Sequence, residues 1–416
     1  MMLKLNLRVG AAAVVASAFL FSCTQEEKTS QEEAAFTELD SNFDSQAIEG
    51  QYIVVYRDNA IEDVGSKYPD NYAKAQEAMA EQTKRILADA SISNAEIVNV
   101  YSRTVNGATL KLSKAQVEQL KGKKEVKYIE QDRIVVFAPP CGSPNGGPCD
   151  GGGGGGGDTG TQETPYGITR VNGVANYTGT SVAWVVDSGI DLDHPDLNVD
   201  ASRGFNAFTS GRDGGSTDDG NGHGTHVAGT IAAINNTIGV IGVAPGATVI
   251  PVKVLDSRGS GSYSGVIAGV DHVGANGKSG DVANMSLGGP VSQALDDAVL
   301  AASNKGIKFA LAAGNESTNA NNSSPARVNG ANIVTISAMN SSDSWASFSN
   351  YGNPPVDYAA PGVSIKSTWK GGGYNTISGT SMAAPHAAGV LLLGAARTDG
   401  TVKNDPDGNP DPIIVH

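Results

Sequence analysis

The chain of 416 residues carries 43 acidic against 29 basic side chains, a net charge of −14, and so offers no basic face for nucleic acid or for an anionic membrane surface. Its length exceeds one small core and predicts two folded units with appendages. Charged residues make up only 17% of the chain while glycine fills 53 positions, a balance that fits a turn-rich compact enzyme and excludes a highly charged disordered chain.

Residues 1–22 read as an export signal: Lys4 and Arg8 form a basic start, and Gly10 to Phe21 is an apolar run too short to span a bilayer. The Leu20-Phe21-Ser22-Cys23 sequence that closes this run is similar to a bacterial lipobox. That resemblance implies lipidation at Cys23 and a cell-envelope lipoprotein held to the membrane only by its lipid anchor. Ordinary cleavage at the same place gives a secreted protein. Residues 23–50 then form a polar, acidic tether.

Residues 51–138 carry a compact α+β pattern. Tyr52-Ile53-Val54-Val55-Tyr56 is a β-branched and aromatic strand, and Ala75, Ala78, Met79 and Ile86 recur at helical spacing behind it. Glu96 to Tyr101 and Ala108 to Leu112 read as strands joined through Val105-Asn106-Gly107. Ser113 and Gln116 make a capping box for a short helix bearing Val117 and Leu120. Val126 to Ile129 and Ile134 to Phe137 complete a β-α-β-β-α-β order, that of a ferredoxin-like sandwich. Residues 139–163 are a linker by composition, with Pro139-Pro140, Pro144, Pro148 and the tract Gly151 to Gly157, and they are the obvious place for a proteolytic cut. Cys141 and Cys149 bracket a small loop there, and in an exported protein the pair is expected to form a disulfide.

From residue 164 to 416 short apolar strands alternate with helical patterns. Val182 to Val186, Thr248 to Leu255, Val282 to Ser286, Lys308 to Ala313 and Ile333 to Ala338 are the strands. Thr225 to Ala233, Tyr263 to Ala275 and Gln293 to Ser303 are the helices. The alternation predicts a parallel β-sheet flanked by helices, with ligands beyond the carboxyl ends of the strands. Asp187 and Asn315 fall just past such ends. Gly400 to His416 is expected to pack along the surface or stay loose.

Hydrolysis of a peptide needs a nucleophile, a base, a group that fixes the base's tautomer, and donors for the developing oxyanion. Each role has a candidate. Ser381, in Ser378-Gly379-Thr380-Ser381-Met382, stands where a helix begins, with its dipole and free N–H groups. His223 lies between two glycines in Asn221-Gly222-His223-Gly224-Thr225-His226, as the base. Asp187, in Val185-Val186-Asp187-Ser188-Gly189, would hold the imidazole. Asn315, in Ala312-Ala313-Gly314-Asn315, would donate its side-chain amide to the oxyanion beside the backbone N–H of Ser381.

These four blocks resemble those of subtilisin-like serine proteases, closest to the proteinase K-like branch, over roughly residues 164–394. The order aspartate, histidine, serine is the known order of subtilisin itself. The unit from Tyr52 to Phe137, including Tyr128-Ile129-Glu130-Gln131-Asp132, resembles the propeptide of these enzymes. The resemblance implies an exported serine endopeptidase made as a self-processing zymogen, whose propeptide is an intramolecular chaperone and inhibitor. It implies polypeptide substrates, bound as an added strand along Gly259, Ser260 and Gly261 on one side and Ser286, Leu287, Gly288 and Gly289 on the other. The first specificity pocket would be walled by Leu287 to Gly289 and by Ala312, Ala313 and Gly314. These small, uncharged walls lead us to expect broad cleavage after apolar or aromatic residues. No cofactor is needed for such chemistry. Asp213, Asp218 and Asp219 crowd a glycine-rich loop that could hold a structural calcium or simply be a solvated acidic loop.

Overall fold

The structure is a computed structural model that describes residues 47–136 and 161–416. Cys23, Cys141 and Cys149 lie outside those residues. In the N-terminal unit β1 (Ala47–Tyr56), α1 (Tyr72–Asp89), β2 (Glu96–Tyr101), β3 (Gly107–Lys111), α2 (Lys114–Lys121) and β4 (Val126–Val136) follow in order. β1 begins four residues inside the segment read as tether. The capping box at Ser113 and Gln116 forms, with bonds of 3.3 and 2.8 Å. The sheet order β2-β3-β1-β4, with β1 antiparallel to both neighbours, is that of a ferredoxin-like sandwich.

The apolar run in β1 is continuous because both faces of this sheet are covered. Val54 and Tyr56 pack with Met79, Ile86 and Leu120 under the unit's own helices. Ile53 and Val55 join Tyr101, Val105 and Val135 in a cluster that belongs to the C-terminal domain. β4 is one strand rather than the two short ones expected, since Tyr128, Glu130 and Asp132 alternate onto that same outer face and find partners there.

The C-terminal domain is built on β5 (Ala183–Asp187), α3 (His223–Ala232), β6 (Thr248–Lys253), β7 (Ser260–Ser262), α4 (Tyr263–Asn276), β8 (Val282–Met285), α5 (Gln293–Ser303), β9 (Lys308–Ala312), β10 (Ile333–Met339) and β11 (Val356–Pro361). The hairpin β12 (Ile365–Trp369) and β13 (Gly373–Ile377), then α6 (Thr380–Leu393), β14 (Arg397–Thr401) and β15 (Pro412–Val415), complete it. The main sheet runs β14-β15-β11-β10-β9-β8-β5-β6. All its neighbours are parallel except β14 with β15. Along β5, Ala183 and Val185 face α3 and α6, while Trp184 and Val186 face α4 and α5. The two-residue period thus splits one apolar run between two helical layers.

The end of the chain is better ordered than its composition suggests. β15 adds parallel to β11 at the sheet edge, and β14 folds back on it. Arg170 joins Asp343 at 2.8 Å and Asp399 at 3.2 Å, tying this hairpin to the body. The segment Asp405 to Asp411 lies in the turn between β14 and β15.

Candidate active site

β5 delivers Asp187, fully buried, to the carboxyl edge of the sheet. His223 opens α3 beside it, with Nδ1 at 2.9 and 3.0 Å from the two carboxylate oxygens. A carboxylate there requires Nδ1 to carry the proton, which leaves Nε2 as the basic nitrogen. The flanking glycines are steric necessities. Gly222 has φ +115°, and a Cβ on it would stand 2.4 Å from the Trp369 ring; a Cβ on Gly224 would stand 2.0 Å from the Gly189 carbonyl oxygen. Only a bare backbone lets α3 start this close to the end of β5.

Ser381 is the second residue of α6, in the first turn, where backbone N–H groups lack intrahelical acceptors. Its hydroxyl donates to the Ser286 carbonyl at 3.2 Å. Pro385, four residues on, has no N–H to give the Ser381 carbonyl. The Ser286 hydroxyl takes that role at 2.7 Å and accepts from Asn284 Nδ2 at 2.8 Å. A helix-breaking residue inside α6 is therefore matched by a side chain from the neighbouring strand's end, which pins the backbone of Ser381.

Asn315 follows β9. Its Oδ1 accepts both the backbone N–H (2.8 Å) and the hydroxyl (2.9 Å) of Thr380, so the amide nitrogen faces the other way. A single point beside Gly379 lies 3.6 Å from Asn315 Nδ2 and 3.6 Å from Ser381 N, so the two donors border one space. The pairing of Met285 with Leu311 sets Ser286 to Gly289 beside Ala312 to Gly314 at the same edge. Leu287, Ala312 and Ala313 are buried there.

On the other side of the cleft the site is joined by the N-terminal unit. The last residues of β4 pair antiparallel with β7, Ile134 opposite Ser262, Val135 opposite Gly261 and Val136 opposite Ser260. The strand named in the sequence for extended polypeptides thus carries the chain's own segment, immediately before the linker. Glu130 accepts from Ala294 N (3.2 Å) at the start of α5, and Asp132 from Ser264 N (3.1 Å) at the start of α4. Two carboxylates so meet two helix N-termini. Conversely Asp271, buried on α4, gathers Tyr72, Gln76 and the backbone N–H groups of Ser102, Arg103 and Thr104, with the Thr104 hydroxyl at 2.9 Å. Sequence reasoning missed Asp271, Thr380 and the Ser286 hydroxyl as contributors, because each acts through a partner remote in the chain.

His226 and His386 are packing residues. Burial lowers His226 to about 3 and His386 to about 4. His226 Nε2 faces the carbonyls of Ile365 and Asn375, and His386 Nδ1 that of Met382. The three loop aspartates do not form a cage. Asp213 is paired with the buried Lys253 at 3.2 Å, Asp218 accepts from Leu192 N, and Asp219 is taken up by backbone at the start of α3. No group of three His, Cys, Asp or Glu side chains among the described residues is arranged for a metal. Nearby, Gln162 donates its side-chain amide to the loop after α3. Its amide nitrogen lies 2.7, 3.1 and 3.4 Å from the oxygens of Ile234, Val240 and the Asn236 side chain, and Asn236 is bonded to Asp196.

An imidazole held by a buried carboxylate and a serine at a helix start, along an edge that takes an extended strand, are the features of a serine peptidase. Residues 170–402 match the Subtilase family and residues 51–138 match Peptidase inhibitor I9. The chain belongs to the subtilases, as a serine-type endopeptidase with an I9 inhibitor domain ahead of its catalytic domain. Alkaline serine exoprotease A of Vibrio alginolyticus is 39% identical over 360 residues, 84% of this chain and 61% of that protein. The chain therefore spans about three fifths of that relative. Subtilisin E of Bacillus subtilis is 41% identical over 336 residues, 79% of each. A crystal structure of a cold adapted subtilisin-like serine proteinase matches with 39% identity and TM-score 0.53, covering 60% of this chain and 97% of the other.

Proposed function

We propose that the chain is a self-processing zymogen of an exported serine endopeptidase, and that Asp187, His223 and Ser381 carry its chemistry with Asn315 as oxyanion donor. The Ser381 hydroxyl turns from the Ser286 carbonyl, gives its proton to His223 Nε2, and its oxygen bonds to the carbonyl carbon of the scissile peptide. The oxyanion that forms is held by Asn315 Nδ2 and the Ser381 N–H. Collapse breaks the C–N bond as His223 returns the proton to the leaving amine, and water then releases the acyl group by the same steps in reverse order. Asp187 remains a carboxylate throughout and supports the imidazolium.

The observation that carries the zymogen reading is the pairing of β4 with β7: the 51–138 unit sits as a bound strand, directly followed by the 139–163 linker. Cutting in that linker leaves the inhibitor in the cleft until it is degraded. Small walls at Leu287 to Gly289 and Ala312 to Gly314 favour apolar or aromatic residues before the cut. Relatives such as the extracellular serine proteinase of a Thermus strain support a secreted enzyme. A Cys23 lipid anchor, a Cys141–Cys149 disulfide and membership of the proteinase K-like branch belong to the same proposal.

The test is purified Ser381→Ala, which should stay one uncut chain, while wild type matures and takes a fluorophosphonate label that His223→Ala lacks. Cleavage of purified Ser381→Ala, or an unlabelled wild type after processing, overturns the proposal. Intact mass of the native protein reports lipidation and disulfide together.

A further inference from the structure

A second buried carboxylate stands behind the histidine. Asp219 precedes α3 and is 4% exposed. Its Oδ1 accepts the Ser188 hydroxyl and the N–H groups of Asn221 and Gly222, each at 2.9 Å. Its Oδ2 accepts the N–H (2.9 Å) and the hydroxyl (2.7 Å) of Thr225. The two hydroxyls are also acceptors: Ser188 Oγ takes the Gly224 N–H at 3.0 Å, and Thr225 Oγ1 takes the Asp191 N–H at 3.0 Å. Each hydroxyl proton therefore points at Asp219, which receives five donors and has no acceptor to which a proton of its own could go. Burial pushes this carboxyl upward, yet the donor set fits only the ionised form.

The wiring is specific to the catalytic pair. Ser188 follows Asp187, and its hydroxyl joins Asp219 on one side to the backbone of Gly224 on the other. Asn221, Gly222 and Gly224 flank His223. The carboxylate so fixes the backbone on both sides of the base against the residue that follows its orienting acid. The charged and titratable groups around His223 are Asp187 on β5, Asp219 in the preceding loop and His226 on α3, which burial keeps neutral. Beyond them stand Asp191, whose carboxylate accepts the Gly372 N–H, Lys253 on β6, bonded to the Ser188 carbonyl at 2.7 Å, and Lys370, bonded to the Gly220 carbonyl at 2.6 Å.

We infer that Asp219, acting through Ser188, is a positioning residue for catalysis that holds His223 in register with Asp187 and favours its protonated form as the reaction proceeds. The inference rests on catalysis by Ser381 and His223; failure of that reading would appear as an unlabelled wild type in the fluorophosphonate experiment, before any variant is compared.

The test uses matured Asp219→Asn and Ser188→Ala proteins, counted by active-site titration and assayed on a chromogenic peptide across the acid limb. An amide turns two donor protons against Thr225 or Gly222 and removes the charge. We expect kcat to fall about 100-fold with KM within about threefold, as for a small displacement of a catalytic group. The acid limb of kcat/KM should move down by about half a unit, because a lost negative charge disfavours the imidazolium. Ser188→Ala should lower kcat about tenfold and leave the limb in place, since it cuts the link and keeps the charge. An unmoved limb in Asp219→Asn overturns the proposal whatever its kcat. If that variant fails to mature, Ser188→Ala decides, and a kcat within about twofold of wild type overturns the proposal.

Discussion

Thr380 has no place in the reaction itself, yet the geometry predicts that Thr380→Val damages catalysis through Asn315 and damages stability through Gly314. Its buried hydroxyl donates to Asn315 Oδ1 at 2.9 Å and accepts the Gly314 N–H at 3.1 Å. Valine keeps the shape and removes both bonds. The unpaired Gly314 N–H should cost about 1–3 kcal/mol of stability. Asn315 would keep only the bond from Thr380 N, and its amide should swing more widely; we expect about 1 kcal/mol of lost transition-state stabilisation, a kcat/KM down about fivefold. Asn315→Ala removes the donor outright and should cost about 2.7–4 kcal/mol, the known effect of deleting the oxyanion-hole asparagine of subtilisin, a relative of this chain. If Thr380 acts on catalysis only by aiming that amide, the double variant should be no slower than Asn315→Ala alone, a coupling of about 1 kcal/mol. The measurements are kcat/KM on one peptide substrate for all four proteins, with thermal unfolding run separately. Additive losses in kcat/KM would refute the reasoning, because Thr380 would then touch the reaction by another route.

Three further outcomes follow from individual contacts. Ser286→Ala leaves the Ser381 carbonyl without the bond that Pro385 cannot supply, and should cost about 1–2 kcal/mol in unfolding free energy; adding Pro385→Ala restores a helical N–H and should recover part of it, whereas a further loss contradicts the pairing. Asp271→Ala strands the N–H groups of Ser102, Arg103 and Thr104 at the inhibitor interface. It should weaken autoinhibition by about 2–5 kcal/mol, seen as a shorter lag before activity appears in the full chain; an unchanged lag argues against the anchor. Burial raises Asp411 from 3.8 to about 6, against the Ser337 hydroxyl that lowers it. Its folded pKa thus exceeds its unfolded one, so stability falls as pH rises through that window. Asp411→Asn should accordingly gain about 1–2 kcal/mol above about pH 7 and nothing below about pH 4; equal Tm gains at both ends would dismiss the cause.

Elements whose side chains alternate or recur in register with their own backbone were legible. Val182 to Val186 reads as a strand because both its faces are apolar, and the histidine block reads as a site because two glycines flank a base. What escaped notice depended on contacts between distant segments. Nothing in Asp405-Pro-Asp407-Gly-Asn409-Pro-Asp411 announces that Ile413 will pair with Ala359. The crowd of aspartates at 213, 218 and 219 suggests a cation, and Asp213 has one, but it is the ammonium of Lys253 from an otherwise apolar strand. Only folding reveals that pairing.

The two faces of the N-terminal sheet bear on how the proposed inhibition and assisted folding would share one surface. Ile53, Val55, Tyr101, Val105 and Val135 are at most 7% exposed, and all are buried against residues of the catalytic domain. A unit of this size has little core to spare, and these side chains stabilise it only when the partner is present. Removing α4 and α5 would expose one whole face, so folding of the unit and docking on those helices should be strongly coupled. The same coupling runs the other way. Glu130 and Asp132 satisfy N-terminal N–H groups of α5 and α4, so they stabilise the two helices before the long-range parallel pairings of the main sheet are complete. Such pairings are slow to form because distant strands must be brought together first. A surface complementary to a local α4–α5 pair can therefore act early as a template, and afterwards the strand it carries already lies in the cleft.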